Sequence, residues 1–289
     1  MIRSMLFIPG NSPSMLQNAD IHGADAIILD LEDAVALDQK DAARFLVKNA
    51  MGLLKGKQQI IIRINPVDSE YFEKDLEAVI PLRPDMIMPA KVNSKEDIET
   101  IAKKIEEIEG KNNMEPGSTR LLPLIETALG LENAFEIACA SKRIFGLFLG
   151  AEDMSSDLRA IRSKEGAEIL YARGRIVSAA RAANVEAFDT PFTDVNDTEG
   201  LLKDASFARS IGFSGKASIS PRHIEGINSC FTPSKKEIAH ARAVLNAVEE
   251  GVRLGKGAVS LNGKMIDKPI EKRARQVLDA IRALGIAEE

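Results

Sequence analysis

The chain has 289 residues, of which 45% are hydrophobic and 28% charged, and its formal net charge is −5. This acidic balance, the absence of Trp and an aromatic content of 4% argue against a nucleic-acid-binding protein. The sequence also lacks the run of roughly 20 hydrophobic residues that a membrane-spanning helix needs. The first hydrophobic run follows Met1–Ser4 directly, so we expect no signal peptide, and two widely separated cysteines show no metal or redox spacing. We therefore expect a cytoplasmic protein with neither a membrane nor a nucleic-acid partner.

Eight short hydrophobic runs recur along the chain, and helical patterns lie between many of them. The runs are Met5–Ile8, Ala26–Leu29, Ile60–Ile62, Met86–Met88, Leu121–Ile125, Phe145–Leu149, Glu186–Phe188 and Lys216–Ile219. Continuous hydrophobic strands are typical of a parallel sheet that is covered on both faces, and alternation with helices indicates βαβ units. Eight units predict an α/β protein with a (β/α)8 TIM barrel, at residues 1–230. An open doubly wound sheet is the alternative, although no G-x-G-x-x-G motif follows the first strand.

Residues 231–289 come after the eighth strand and are predicted to form a C-terminal helical extension. One helix is expected to run from about Thr232 to Leu254, and a last amphipathic helix from Pro269 to Leu284. Between them, Asn262–Gly263 predicts a hairpin turn. Since the barrel is already complete, we expect this extension to pack on the barrel or to reach a neighbouring subunit.

Carboxylates follow several of the predicted strands, at the end where barrel enzymes carry their active sites. Glu126 follows the fifth strand, Asp153 the sixth and Asp189 the seventh, while Glu32 and Asp33 follow the second. Acids that converge at one barrel mouth repel one another unless a cation lies between them, and oxygen ligands suit Mg²⁺. The pattern therefore predicts a magnesium site built on Glu126 and Asp153. Helix or turn capping is the simpler alternative for Glu126 and Asp153, and a favourable acidic cluster at a helix N-terminus is the alternative for Asp30, Glu32 and Asp33.

Basic residues also follow the predicted strands. Arg63 comes after three Ile residues and is predicted either to bind a substrate carboxylate bidentately or to pair with Asp30 or Glu126. Lys91 and Lys216 lie near strand ends, where each could be the Schiff-base lysine of a class I aldolase. Ion pairs with the nearby acids are the alternative for both lysines.

Motifs along nearly the whole chain resemble the citrate lyase β-chain family, within the magnesium-dependent HpcH/HpaI aldolase/citrate lyase family. The matching segments are Arg3–Gly10, Gly23–Val35, Arg63–Asn65, Leu124–Gly130, Gly150–Asp153, Tyr171–Arg173, Ala187–Thr190, Gly212–Lys216 and Val259–Asp267. The wider family includes malyl-CoA, citramalyl-CoA and related thioester lyases on magnesium-dependent barrels. One segment departs from the pattern, because Ser220–Pro221 stands where many relatives have His-Pro or Asn-Pro.

The resemblance implies a role for each matching site residue. Glu126 and Asp153 match the metal-ligand positions, and Glu126 also lies against the substrate. Arg63 matches the arginine that holds the substrate carboxylate. Glu32 and Asp33 match positions expected to order metal-bound waters.

The resemblance also implies the reaction and its partners. The expected reaction is the retro-aldol cleavage of a citryl thioester, carried on an acyl carrier protein (ACP) or on CoA, to oxaloacetate and an acetyl thioester. The chain would act beside an α subunit and an acyl carrier (γ) subunit, and would form a homo-oligomer, a trimer or a hexamer. Asp267 matches an acid that enters the site of a neighbouring subunit and is the candidate acid or base. The alternatives are a malyl-CoA or citramalyl-CoA lyase, a class I aldolase and a non-catalytic thioester-binding subunit.

Overall fold

The computed structural model of the chain describes residues 1–54, 56, 58–255, 259–261 and 263–286. Residues 2–229 form one compact unit, and residues 230–289, with Met1, form a second. Within the described residues, no helix combines the length and the hydrophobicity that crossing a membrane requires.

The first unit contains nine strands, all paired in parallel in a single sheet. They are β1 (Ser4–Pro9), β2 (Ala26–Asp30), β3 (Gln59–Ile64), β4 (Met86–Pro89), β5 (Arg120–Leu121), β6 (Leu124–Ile125), β7 (Gly146–Leu149), β8 (Glu186–Asp189) and β9 (Gly215–Ser218). Along the sheet, β5 to β1 are followed by β9, β8, β7 and β6, so that β5 and β6 stand at its two ends.

These two end strands are halves of one strand that is interrupted around Pro123, so the sheet closes on itself. Leu122 donates a backbone hydrogen bond to the Ile87 carbonyl in β4, while the Leu121 carbonyl accepts one from Phe145 next to β7. Proline has no N–H to donate to a sheet, which explains the break in the assigned strand. The result is a closed barrel of eight strand positions, which confirms the predicted TIM-barrel fold and excludes the open sheet.

Helices connect and cover the strands. They are α1 (Pro13–Gln17), α2 (Lys40–Met51), α3 (Phe72–Val79), α4 (Lys95–Lys111), α5 (Ala128–Glu132), α6 (Ala134–Cys139), α7 (Ala151–Asp157), α8 (Leu170–Ala182), α9 (Thr198–Ser210) and α10 (Ile224–Phe231). Helix α4 begins with a reciprocal capping box, which the Ser94 side chain and Asp97 form. Helix α7 was not predicted, and it carries Asp153 within a helical turn rather than at a strand tip.

Successive side chains of each strand point to opposite faces of the sheet, so one hydrophobic layer lies inside the barrel and another outside it. Residues such as Ile28, Ile61 and Leu124 belong to the cluster inside the barrel. Their neighbours in sequence, such as Ile27 and Ile62, are equally buried. Inner and outer wall are therefore both covered, as the continuous hydrophobic runs of the sequence require.

The second unit contains two helices and a hairpin. Helix α11 (Lys235–Arg253) and helix α12 (Lys268–Ala283) pack around a small core that includes Val244 and Leu278. Strands β10 (Val259–Leu261) and β11 (Lys264–Ile266) pair antiparallel. The hairpin is thus present as predicted, although Asn262 of its predicted turn lies outside the described residues.

Candidate active site

Three charged side chains lie at the upper end of the inner barrel wall, where strand alternation places them. Asp30, Arg63 and Glu126 each come two residues after a residue of the inner core on β2, β3 and β6. They therefore extend the inner face of the barrel to its C-terminal end, where it opens.

Arg63 is held by Asp30, its partner in the strand register. Its Nε and Nη2 donate to the two Asp30 carboxylate oxygens at 2.7 and 2.5 Å, and its Nη1 lies 3.1 Å from Glu32 Oε2. Burial lowers the pKa of Arg63, but the Asp30 hydrogen bonds together with the charges of the neighbouring acids outweigh this and raise it, so the guanidinium stays charged. One edge of Arg63 is thus used structurally, as the alternative prediction had it, and N–H groups of Nη1 and Nη2 remain for a ligand.

Glu126 is a buried carboxylate with little compensation. Glu126 is only 3% exposed, and its Oε1 accepts a hydrogen bond from the backbone N–H of Lys91 at 2.9 Å. Burial, followed by the charge of Glu32, raises the pKa of Glu126 to about 8. Its other oxygen lies against Gly150, where a Cβ would come within 2.7 Å of Oε2. A glycine at position 150 therefore leaves the space that this carboxylate occupies.

Lys91 links the acids around the mouth. Its Nζ lies 3.0 Å from Glu32 Oε1, 3.4 Å from Asp153 Oδ2 and 3.7 Å from Asp33 Oδ1. Burial lowers the pKa of Lys91, but the hydrogen bond to Glu32 and the charges of the acids raise it above its ordinary value. A Schiff-base lysine must lose its proton to attack a carbonyl, so this environment disfavours that role. Lys91 instead forms the ion pairs that the alternative prediction gave it.

Glu32 is fixed by a lysine that the sequence analysis did not single out. Lys40 is buried, and its Nζ donates to the carbonyls of Leu31 and Glu32 and to Asn65 Oδ1 at 2.7–2.8 Å. Burial also raises the pKa of the Glu32 carboxyl. Lys40 begins α2 in a polar segment, so its sequence position looks solvent-exposed and gave no signal of this role.

A cavity of about 370 Å³ opens at this end of the barrel, and most of its lining is hydrophobic. The charged residues on its wall are Asp30, Asp33, Arg63, Glu126, Glu152 and Asp153. Glu152 is paired with Arg162 at 2.9 Å. Phe7, Leu124 and Phe148 contribute hydrophobic surface below the charged rim. A pocket that is mostly hydrophobic and has a few converging polar groups is the usual form of a small-molecule site.

Glu126 and Asp153, the predicted metal ligands, both line this cavity, and the charge of Asp153 acts on Glu126. Within the described residues, no set of three or more His, Cys, Asp or Glu side chains is arranged as a metal cage. Mg²⁺ usually keeps several waters and takes one or two protein carboxylates, so two acids beside an open cavity suit it. The donor set therefore fits Mg²⁺ with room for substrate oxygens, and does not fit a fully enclosed structural metal.

Two predicted residues lie elsewhere. Asp189 and Lys216 are register partners on β8 and β9, and both point to the outer face of the wall. Lys216 Nζ is completely buried and lies 2.7 Å from Asp189 Oδ2 and 2.6 Å from Asp204 Oδ2. Arg173 completes this network by donating to both acids. The prediction that Asp189 faces the mouth is therefore wrong, and Lys216 is enclosed in ion pairs rather than open to a substrate.

Ser220 and Asp267 act locally as caps. The Ser220 hydroxyl accepts from the backbone of Arg222, and the Asp267 carboxylate accepts from the backbone N–H of Ile270 at 2.9 Å, at the start of α12. Asp267 thus has the ordinary role of an N-cap within its own unit. Its predicted contribution to a neighbouring subunit stays a prediction.

The model of the HpcH/HpaI aldolase/citrate lyase family matches residues 3–221. The chain belongs to this family. The match spans every strand of the barrel and all the mouth residues named above. It confirms the family that the sequence motifs indicated, and with it the enzyme class of a carbon–carbon lyase.

Relatives within the family match along nearly the full length. Citrate lyase subunit beta of Escherichia coli K12 is 46% identical over 288 residues, which cover 99% of this chain and 95% of the relative. Human mitochondrial citramalyl-CoA lyase is 34% identical, with 96% of this chain and 84% of the relative covered. Among solved structures, CitE from Mycobacterium tuberculosis in complex with magnesium, acetoacetate and coenzyme A is 30% identical. Its TM-score is 0.79, and the match covers 96% of this chain and 97% of that one.

Proposed function

We propose that this chain is the β subunit of a citrate lyase, which cleaves citryl-ACP to oxaloacetate and an acetyl thioester. The observation that carries the proposal is that two acids, the buried Glu126 and the partly exposed Asp153, line a largely hydrophobic cavity. Such a site can take a charged, oxygen-rich group at its rim and a less polar portion of the same ligand below. The similarity to citrate lyase subunit beta, closer than that to citramalyl-CoA lyase, supports the citryl substrate.

The charges of the described mouth residues support a divalent cofactor. Five carboxylates (Asp30, Glu32, Asp33, Glu126 and Asp153) face three cations (Arg63, Lys91 and Lys40). Full ionisation therefore leaves an excess of two negative charges. Burial is the main cause of the raised pKa of Glu126, and the charges of Glu32 and Asp153 raise it further. We propose that Mg²⁺ balances it, held by Glu126 and Asp153, while Glu32 and Asp33 order its waters.

Each side chain has a distinct task in this proposal. Magnesium, when bound, supplies Lewis acidity toward substrate oxygens. Arg63 is immobilised by Asp30, so its remaining N–H groups present a fixed charge that orients a substrate carboxylate. The hydrophobic wall at Phe7 and Phe148 limits water around the bond that breaks. Asp267 of a neighbouring subunit is the proposed acid that protonates the thioester enolate.

The proposal extends to the assembly. We propose that residues 1–230 form the catalytic domain and that residues 231–289 serve contacts between subunits of a homo-oligomer, a trimer or a hexamer. The thioester would arrive on the acyl carrier subunit, after acyl exchange on the α subunit. A coenzyme A-bound structure of a 30% identical protein is consistent with a site that accepts such a thioester arm.

A direct assay tests the function. Purified protein is incubated with citryl-CoA, citramalyl-CoA or malyl-CoA and Mg²⁺, and release of the 2-oxo acid product is measured. We expect the highest kcat/KM for the citryl thioester, complete loss of activity in EDTA and recovery on addition of Mg²⁺. Preference for citramalyl-CoA would replace the proposed substrate. Full activity in EDTA, with trapping of a lysine by borohydride, would replace the proposed mechanism by that of a class I aldolase.

A further inference from the structure

The residue of the mouth that contacts most of the acids is a lysine. Lys91 follows β4 with its backbone in the left-handed region (φ 52°), an uncommon conformation for a residue with a side chain. From this position its N–H holds Glu126, while its ammonium lies within 3.0–3.7 Å of Glu32, Asp33 and Asp153. One residue therefore contacts four carboxylates through two different groups.

The two cations of the rim differ in how firmly they are held. The Arg63 side chain is 11% exposed and forms two hydrogen bonds to its register partner Asp30. The Lys91 side chain is 36% exposed, and the Asp153 side chain, 3.4 Å from its ammonium, is 39% exposed. The Lys91 ammonium thus lies at the water-facing side of the cluster on a flexible stem and can be displaced without breaking the wall.

The position of the Lys91 ammonium beside Asp153 bears on how a metal ion would bind there. We propose that the Lys91 ammonium is an internal counter-ion of the metal-free site, which a divalent cation displaces from Asp153 on binding. This inference rests on the proposed metal site at Glu126 and Asp153. An ammonium and a divalent cation that share one carboxylate repel each other, so Lys91 weakens metal binding and stabilises the site when no metal is present.

Metal binding to the free protein tests this without any catalytic measurement. The probe is Mn²⁺, whose free concentration is read by EPR, with Mg²⁺ as competitor, in the wild type and in Lys91→Met, Lys91→Arg and Lys95→Met. Lys95 is the matched control, because its side chain is 48% exposed and its nearest acid, Glu96, is 3.9 Å away. We expect Lys91→Met to bind Mn²⁺ tighter by on the order of tenfold, and the other two variants to bind as the wild type does.

Thermal unfolding supplies a second readout. Without metal, Lys91→Met should melt below the wild type, because the acids lose a counter-ion, and saturating Mg²⁺ should raise its melting temperature by more than that of the wild type. If Lys91→Met merely disrupted the segment after β4 that holds Glu126, metal binding would weaken rather than strengthen. Unchanged or weaker Mn²⁺ binding in folded Lys91→Met would overturn the inference while leaving the metal site intact. Absence of binding in the wild type would overturn both the inference and the proposed metal site.

Discussion

Two ion pairs on opposite faces of the barrel wall are built in the same way and have different consequences. Asp30 and Arg63 are register partners on the inner face, and Asp189 and Lys216 are register partners on the outer face. The outer pair lies beneath α8 and α9, which contribute Arg173 and Asp204. The inner pair lies at the open end of the barrel, beside the cavity.

The difference between the two clusters is charge balance. The outer network has two acids and two cations, of which only Asp204 is not fully buried, and its carboxylates are each bound by both cations. The inner cluster has an excess of acids, and one of its buried members, Glu126, has a pKa raised to about 8, chiefly by burial. Charges that cancel inside the protein hold elements together, whereas charges left uncancelled at an opening favour the binding of a cation. The comparison therefore supports a structural role for the outer cluster and the proposed ligand-binding role for the inner one.

The largest effect is expected from unbalancing the outer network. Lys216→Met leaves Asp189 and Asp204 with Arg173 alone, and removal of one partner from a buried pair costs about 3–5 kcal/mol. The urea midpoint of unfolding should fall accordingly. Lys203→Met, in an exposed pair with Glu199, is the control and should change stability by less than about 1 kcal/mol.

A double variant separates imbalance from lost packing. Lys216→Met with Asp204→Asn removes one charge of each sign and leaves Arg173 with Asp189. We expect it to recover part of the stability that Lys216→Met loses. A double variant that is less stable than the sum of the single changes would contradict the balance argument.

The next effect concerns the inner cluster and should appear in activity rather than stability. Glu126→Gln keeps the size of the side chain and an oxygen for the Lys91 N–H, but removes the charge. Since Glu126 is the proposed metal ligand and such a ligand contributes several kcal/mol, we expect kcat/KM to fall by on the order of 10²–10³-fold. Metal-free stability should stay equal or rise, because burial already disfavours the charged form.

The readouts are the lyase assay and thermal unfolding without metal. Glu136→Gln, at an exposed position of α6, is the matched control and should behave as the wild type in both. If Glu126→Gln lowered stability as strongly as Lys216→Met, the inner cluster would be a structural network as well, and the distinction between the two faces would fail.

Much of the fold could be predicted because a barrel strand buried on both faces leaves a continuous hydrophobic run. All eight runs became strands, including the fifth, which Pro123 interrupts. Helix α7 escaped prediction, since its seven residues are too few to show a hydrophobic period. Asp153 was consequently expected at a strand tip.

The candidate site could be predicted only in part, for a reason that the two clusters make plain. Glu126 and Arg63 are conspicuous because a charge at the end of a hydrophobic run is costly without a partner. Whether such a charge faces inward or outward depends on the exact strand register, and Asp189 was assigned to the wrong face for this reason. Lys40 lies in a polar segment, so nothing local reveals that its side chain is buried against the Glu32 carbonyl.

The smallest effect on stability is expected at the exposed edge of the inner cluster. The Asp33 side chain is 54% exposed, 3.7 Å from Lys91 Nζ and 4.0 Å from Arg63 Nη1. Exposed pairs at such distances contribute about 0–1 kcal/mol, so Asp33→Asn should leave the metal-free urea midpoint almost unchanged. Asp33→Asn and Lys216→Met, measured in the same buffer, should show the smallest and the largest loss of stability among these variants. A loss for Asp33→Asn comparable to that of the buried lysine would mean that the mouth acids hold the barrel together, whereas the expected small loss leaves them free to serve a ligand.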